Sequence, residues 1–279
     1  MQSGFYESGK RIAFFAIILA MITGSGSAQE TVIIAHRGAS AVAPENTHYA
    51  FFEALRLGAT VIEFDVRETK DGKLVLFHDD KLERIIGRKG SIETEPWEKV
   101  KQFDVGRWFK GGSFVGARPL LLEDAIQLCL DGGATPLIEH KSGSASSYVS
   151  LIRDMEVEEK VIVQSFDWKF LREFQQGAPG VRTGALGSKM LSSDKFRQIT
   201  DLKPDWVGWK FSDLSESNLD ALQSAGFRVA LWTVNDPTEA KRWIERGVDA
   251  IITDSVDTML WLVSAPGSEG DNGAASAAE

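Results

Sequence analysis

The fold this sequence predicts is α/β, a (β/α)₈ TIM barrel with an inserted subdomain after the second strand's hairpin. Three observations predict it. Short apolar runs rich in β-branched residues alternate with amphipathic stretches through residues 29–265. Once a hairpin strand is set aside, eight such runs remain, the number a closed parallel barrel needs. Polar and ionisable residues stand at the ends of those runs, where a barrel gathers its functional groups.

The elements follow in order. Thr31 to Ala35 is the first strand and ends at His36. Glu45 to Leu57 reads as a helix, with apolar residues at helical spacing, Pro44 at its start and Gly58 at its end. Val61 to Val66 is the second strand. Asp71-Gly72 between two apolar runs signals a hairpin, and the connection is too short for a parallel crossover. Leu74 to Phe77 therefore runs back against its neighbour as an added strand. Further runs end at Glu139-His140-Lys141, Gln164-Ser165-Phe166, Gly184-Ala185-Leu186, Trp209-Lys210, Trp232-Thr233-Val234-Asn235 and Thr253-Asp254, mostly with helices between them. Residues 80–118 break the alternation. They are rich in glycine and aromatic residues, and are expected to form an inserted cap whose aromatics pack among themselves.

Both ends read differently from the barrel. Lys10-Arg11, an apolar run over residues 12–22 and small residues up to Ala28 form a secretory pattern, with cleavage expected after Ala28. The run is short for a membrane span, so residues 1–28 are read as a signal peptide and the mature chain as periplasmic or secreted, without a stable membrane anchor. Residues 266–279 lack large apolar side chains and are expected to be a disordered tail. The one cysteine, Cys129, sits in a helical apolar pattern and reads as a small core residue. A net charge of -9 argues against a broad nucleic-acid surface, but leaves room for a small phosphate-bearing substrate. Nothing in the sequence fixes the oligomeric state.

Glu63 and Asp65 alternate onto one face of their strand. Alone, such a pair usually marks a wet strand face. Here it stands between two strand-ending histidines, His36 and His78, and a third carboxylate, Glu139, ends a later run. Three oxygen ligands at one rim suit a hard divalent cation, with Ca²⁺ favoured over Mg²⁺ outside the cytosol. His36 and His78 suit proton transfer near neutral pH. Arg37 offers a planar fork for phosphate oxygens, and Lys141, on the same face as Glu139, a second cation. Trp232 at the same rim is a further candidate substrate contact. Alternation turns His140 towards the helix layer, and His48 falls near the start of the first helix, where a surface role is expected.

These pieces resemble the glycerophosphodiester phosphodiesterase family. The matching stretches are His36-Arg37-Gly38, Pro44-Glu45-Asn46-Thr47, Glu63-Phe64-Asp65-Val66, Thr69-Lys70-Asp71-Gly72, Phe77-His78-Asp79, Asp104 to Phe109, Pro119 to Glu123, Glu139-His140-Lys141, Gln164-Ser165-Phe166, Trp232 to Asn235 and Thr253-Asp254, in the family's order. The resemblance implies a barrel with an insert after the His78 strand. It implies metal ligands Glu63, Asp65 and Glu139, a catalytic pair His36 and His78, and phosphate contacts from Arg37 and Lys141. Glu45 would be a supporting rim residue. The implied reaction is hydrolysis of a glycerophosphodiester to glycerol 3-phosphate and an alcohol, with the substrate's 2-hydroxyl attacking first. The chain departs from the family's usual pattern at His140, normally aliphatic, and at Leu121, normally threonine. Two other readings stand beside this one: a phospholipase-D-like activity on lysophospholipids or sphingolipids, and a secreted binding protein without turnover.

Overall fold

The structure is a computed structural model that describes residues 30–264. The expected signal peptide, residues 1–28, and the expected tail, residues 266–279, lie outside the described residues.

Among the described residues nine strands run through the fold: β1 Val32–His36, β2 Val61–Glu68, β3 Leu74–Leu76, β4 Thr135–His140, β5 Ile162–Ser165, β6 Arg182–Gly187, β7 Trp206–Lys210, β8 Arg228–Trp232 and β9 Ala250–Thr253. The order around the sheet is β1-β9-β8-β7-β6-β5-β4-β2-β3, and β1 also pairs with β2. That last pairing closes eight parallel strands into a barrel. β3 is antiparallel to the far end of β2, with Val66 opposite Leu76, as the Asp71-Gly72 turn requires.

Alternation decides what each barrel strand buries. On β2, Ile62, Phe64 and Val66 turn outward into the main core beneath the helices. Val61 turns inward and joins Ile34, Leu137, Ala230, Ala250 and Ile252 inside the barrel. Glu63 and Asp65 point the same way as Val61, towards the carboxyl end. A second cluster built on Trp209, Leu231, Ile251 and Trp243 packs the opposite side of the barrel against its helices.

The first helix, α1, spans His48–Leu57 and starts three residues later than the sequence suggested. Thr47 is its cap, accepting the Ala50 N–H, and Asn46 has left-handed backbone at φ 57°. Glu45 and Asn46 are thereby kept out of the helix, with their side chains turned to the barrel rim. Gly58 closes the helix at φ 96°, where a side chain would be strained. Residues 80–118 contain two short helices, α2 Glu83–Ile86 and α3 Trp97–Val100. Leu82, Ile85, Ile92, Val100 and Phe103 form a cluster there, continuous with Val75 and Phe77 of the hairpin. Trp97 and Trp108 pack on it. Phe114 instead lies against the main core and the edge of Tyr49, so the aromatics of this segment do not all share one core.

Candidate active site

The carboxyl ends of β1, β2, β4, β5 and β8 converge on a cavity of about 170 Å³, lined by His36, Arg37, Glu63, His78, Glu139 and Lys141 together with Gln164, Phe166 and Trp232. Register brings these residues together. His36 is opposite Glu63 across β1 and β2, Asp65 is opposite Glu139, and Glu139 is opposite Gln164. A wider cleft of about 600 Å³ adjoins the cavity and shares His78, Glu139, Lys141 and Phe166 with it.

The carboxylates are not on a wet face. Glu63 is 1% exposed, Asp65 0% and Glu139 7%. Ionised carboxylates out of water cost several kcal/mol each unless compensated. Compensation comes from two cations. Arg37 Nε lies 3.0 Å from Asp65 Oδ2, and Lys141 Nζ lies 3.1 Å from Asp65 Oδ1 and also contacts Glu139. The Arg37 backbone N–H donates to Glu63 Oε2 at 3.0 Å, and its guanidinium donates to Glu45 at 2.9 Å.

These contacts divide the three acids. Burial alone would raise the Asp65 carboxyl, but Arg37 and Lys141 outweigh it and hold Asp65 far below the usual carboxylate range. Glu63 is raised well above its ordinary value by burial, then by the charges of Asp65 and Glu139. Glu139 is pushed up to about 7 by burial and then by Asp65, with Lys141 opposing. Arg37 and Lys141 lose some proton affinity through burial but gain more from the acids around them.

Ligand oxygens of Glu63, Asp65 and Glu139 all lie within 4.8 Å of one another. Glu63 Oε1 is buried and makes no hydrogen bond among the described residues. A buried, all-oxygen donor set with an unanswered carboxylate oxygen fits a hard divalent cation.

Each rim histidine is held by an aspartate. His36 Nδ1 donates to Asp254 Oδ1 at 2.6 Å, and Asp254 also accepts from Ser40 Oγ and Asn235 Nδ2. Its Nε2 is left facing Glu63, 4.0 Å away. His78 Nδ1 donates to Asp79 Oδ1 at 2.7 Å. An ionised acceptor at Nδ1 fixes the tautomer and leaves Nε2 as the free nitrogen of both rings. Burial lowers His78's proton affinity, with Asp65 opposing. Arg84, from the segment beyond the hairpin, donates to both Asp79 and Glu45. Burial would raise Asp79, but hydrogen bonds from Arg84 and His78 bring it down to about 2.

The other candidate positions sort clearly. Trp232 ends β8 and meets Phe166 edge-on at 5.4 Å between ring centres. His140 faces away from the cavity, stacked on Phe170 at 3.5 Å and bonded to Ser165. His48 is exposed on α1. Sequence reasoning gave no role to Asp79, Asp254, Asn46 or Gln164. Asn46 bonds Asp65, and Gln164 is buried beside Glu139 with its Oε1 unpartnered among the described residues. Asp79 and Asp254 could have been suspected from their adjacency to strand ends; for Asn46 the signal was its place in the family-like stretch Pro44-Glu45-Asn46-Thr47.

With this geometry in hand, comparison with known proteins is specific. The model of the Glycerophosphoryl diester phosphodiesterase family matches residues 36–258. A glycerophosphodiester phosphodiesterase of Caldanaerobacter subterraneus subsp. tengcongensis is 33% identical over 240 residues, covering 84% of this chain and 98% of that protein. A phosphodiesterase of Oleispira antarctica, solved in complex with the product sn-glycerol-3-phosphate, is similar with a TM-score of 0.79 at 25% identity, over 84% of this chain and 97% of that one. A glycerophosphodiester phosphodiesterase from Agrobacterium tumefaciens is similar with a TM-score of 0.71 at 27% identity, over 82% and 98% of the two chains.

Proposed function

This chain belongs to the glycerophosphoryl diester phosphodiesterase family, and we propose that it hydrolyses glycerophosphodiesters to sn-glycerol 3-phosphate and a free alcohol by histidine acid–base catalysis at a divalent-cation site. It is a phosphodiester hydrolase of that family. The observation that carries the finer reading is the meeting of two aspartate-held histidines with a cluster of three buried carboxylates, two of which, Glu63 and Glu139, line the same cavity as the histidines. The product bound to the Oleispira relative supports glycerol 3-phosphate as the product here.

Glu63, Asp65 and Glu139 hold the cation in this reading. When bound, it offsets the charge that develops on the phosphoryl oxygens and lowers the pKa of an attacking hydroxyl. His36 and His78 do the proton work through Nε2. One takes the proton from the substrate's 2-hydroxyl as that oxygen attacks phosphorus. The other gives a proton to the oxygen of the departing alcohol as its bond to phosphorus breaks. Water then opens the cyclic phosphate with the two roles reversed. Arg37 and Lys141 bind phosphate oxygens, and Trp232 and Phe166 flank the glycerol moiety. Residues 80–118 act as a cap, tied to the rim through Arg84.

The test is product release from glycerophosphocholine. Equal amounts of choline and glycerol 3-phosphate, with lysophosphatidylcholine turned over at least tenfold more slowly, support the reading. A preference for lysophosphatidylcholine would move the protein to the phospholipase-D-like alternative, and no turnover of either to a binding role. Export is inferred from Lys10-Arg11 and the apolar run after it, and it favours Ca²⁺ as the ion. Mass spectrometry of the protein from its native host should find an N-terminus at Gln29; Met1 retained in a membrane fraction would argue for an anchor.

A further inference from the structure

The start of the inserted segment decides where one guanidinium sits. Leu82 and Ile85 are buried in the cluster beneath the cap, so the short helix α2 is anchored by its apolar side. Arg84, between them, is left on the other side, with its Cζ 5.2 Å from the centre of the Trp108 ring.

Four bonds leave this guanidinium. Its Nε and Nη2 donate to Asp79 Oδ2 and Oδ1 at 2.6 and 2.8 Å. Its Nη1 and Nη2 donate to Glu45 Oε2 and Oε1, both at 2.7 Å. Two edges of the planar fork thus each meet a carboxylate, a geometry that lysine cannot reproduce.

Both carboxylates lead inward. Asp79 Oδ1 accepts the His78 Nδ1–H at 2.7 Å. Glu45 Oε1 accepts from Arg37 Nη1 at 2.9 Å, and Arg37 in turn lies against Asp65. Side-chain atoms of Glu45, His78 and Asp79 lie within 4.8 Å of one another. Two carboxylates that close repel each other unless a cation stands between them, and Arg84 stands there. Without it Asp79 is pushed away from Glu45, and Nδ1 loses an aligned acceptor. Ion pairs as exposed as this one add little to stability, so alignment is the effect these bonds can supply.

We propose that Arg84 is a positioning residue, contributed by the inserted cap, which fixes Asp79 against Glu45 and so keeps the His78 ring aimed for proton transfer. This rests on the acid–base role given to His78.

The test reads glycerophosphocholine turnover and the ring nitrogens of His78 by ¹⁵N NMR, in the full chain. Arg84→Ala should lower kcat by at least about tenfold, a share of what a proton-transfer partner contributes. KM should stay within about threefold, because Arg37 keeps Asp65, and the melting temperature should stay near the parent's. Guanidinium chloride below denaturing concentration should saturably restore part of the lost rate in Arg84→Ala, and urea should not. Neither should help the parent or His78→Ala. Arg84→Lys should recover part of the rate, and decides alone if Arg84→Ala does not fold. Arg88→Gln, which loses a bond to Glu95 inside the same segment, should turn over like the parent. The His78 ring should be protonated at Nδ1 in the parent and show both tautomers in Arg84→Ala. Parent-like kcat in Arg84→Ala would overturn the proposal. So would a loss that follows melting temperature without guanidinium rescue, which would make Arg84 a structural staple. A parent that does not turn over glycerophosphocholine would end the functional reading instead; the His78 spectrum then decides, and one unchanged tautomer in both proteins would overturn the positioning role.

Discussion

Asn46 and Asp65 hold each other twice: the Asn46 amide donates to Asp65 Oδ2 at 2.9 Å, and its carbonyl accepts the Asp65 backbone N–H at 3.1 Å. Arg37 and Lys141 answer the charge of this carboxylate, and Asn46 fixes its direction. Asn46 stands at φ 57°, a region asparagine tolerates better than most residues. Asn46→Ala loses both bonds and adds backbone strain, so urea unfolding should show a loss of roughly 1–3 kcal/mol. Asn46→Gly loses the bonds without the strain and should cost less. Parent-like stability in both variants would mean that the pairing contributes nothing.

Replacing either rim histidine removes a proton-transfer partner. His36→Ala and His78→Ala should each lower kcat by roughly 10²–10⁴-fold while circular dichroism stays that of the parent. The double variant should lose far less than the product of the single losses, because the two act as a unit. His48→Ala, on an exposed helix face, should stay within several-fold of the parent. His140→Ala loses its stack on Phe170 and should lower the melting temperature more than the rate. A His140 variant as inactive as the His78 variant, yet folded, would overturn the register that turns His140 to the helix layer, and would take Glu139 and Lys141 out of the site.

Of the side chains that Asp254 bonds among the described residues, His36, Ser40 and Asn235, His36 alone lines the cavity, so Asp254 acts by positioning. Asp254→Asn keeps the shape but can no longer offer a charged acceptor to Nδ1–H. Both ring tautomers are then open to the imidazole, and kcat should fall by at least tenfold with KM little changed. The pH–rate profile should move with it, whereas Asp254→Glu should recover part of the loss. A profile identical to the parent's would leave Asp254 a purely structural bond.

Proton release should accompany cation binding. Without the ion, Glu63 and Glu139 are both raised, Glu139 to about 7, by burial first and by neighbouring acids second. Below that pH Glu139 holds a proton that a cation must expel, and the raised Glu63 works in the same direction, so affinity weakens as pH falls and strengthens as it rises. The slope should reach about tenfold per pH unit for each proton expelled. Competition against a chelating dye from about pH 5.5 to 8 measures it, and Glu139→Gln should remove one proton from the slope. Chelation should abolish turnover and added Ca²⁺ restore it; turnover that survives chelation would end the metal assignment.

The sequence made the barrel readable because its strands are buried on both faces and end in abrupt polar punctuation. Leu137-Ile138 giving way to Glu139 is one instance. The gathering of Glu63, Asp65 and Glu139 was readable in two steps: the pleat leaves Glu63 and Asp65 on one face, and strand ends of a barrel share the rim to which Glu139 belongs. The start of α1 was not. Pro44-Glu45 looks like a helix opening, but the competing use of Asn46 at Asp65 delays the helix to His48. Nor was the partnership of His36 with Asp254, because no local pattern links residues 218 positions apart.

The closure of the barrel sets a timetable. β1 is paired on one side with β2 and on the other with β9, the first strand with the last. A growing polypeptide therefore exposes an unpaired edge of β1 until nearly the whole of it has been made. The nascent chain carries its first histidine early, but the residue that aims that ring follows the final strand. Competence then arrives in one late event, with no gradual gain as successive βα units are added.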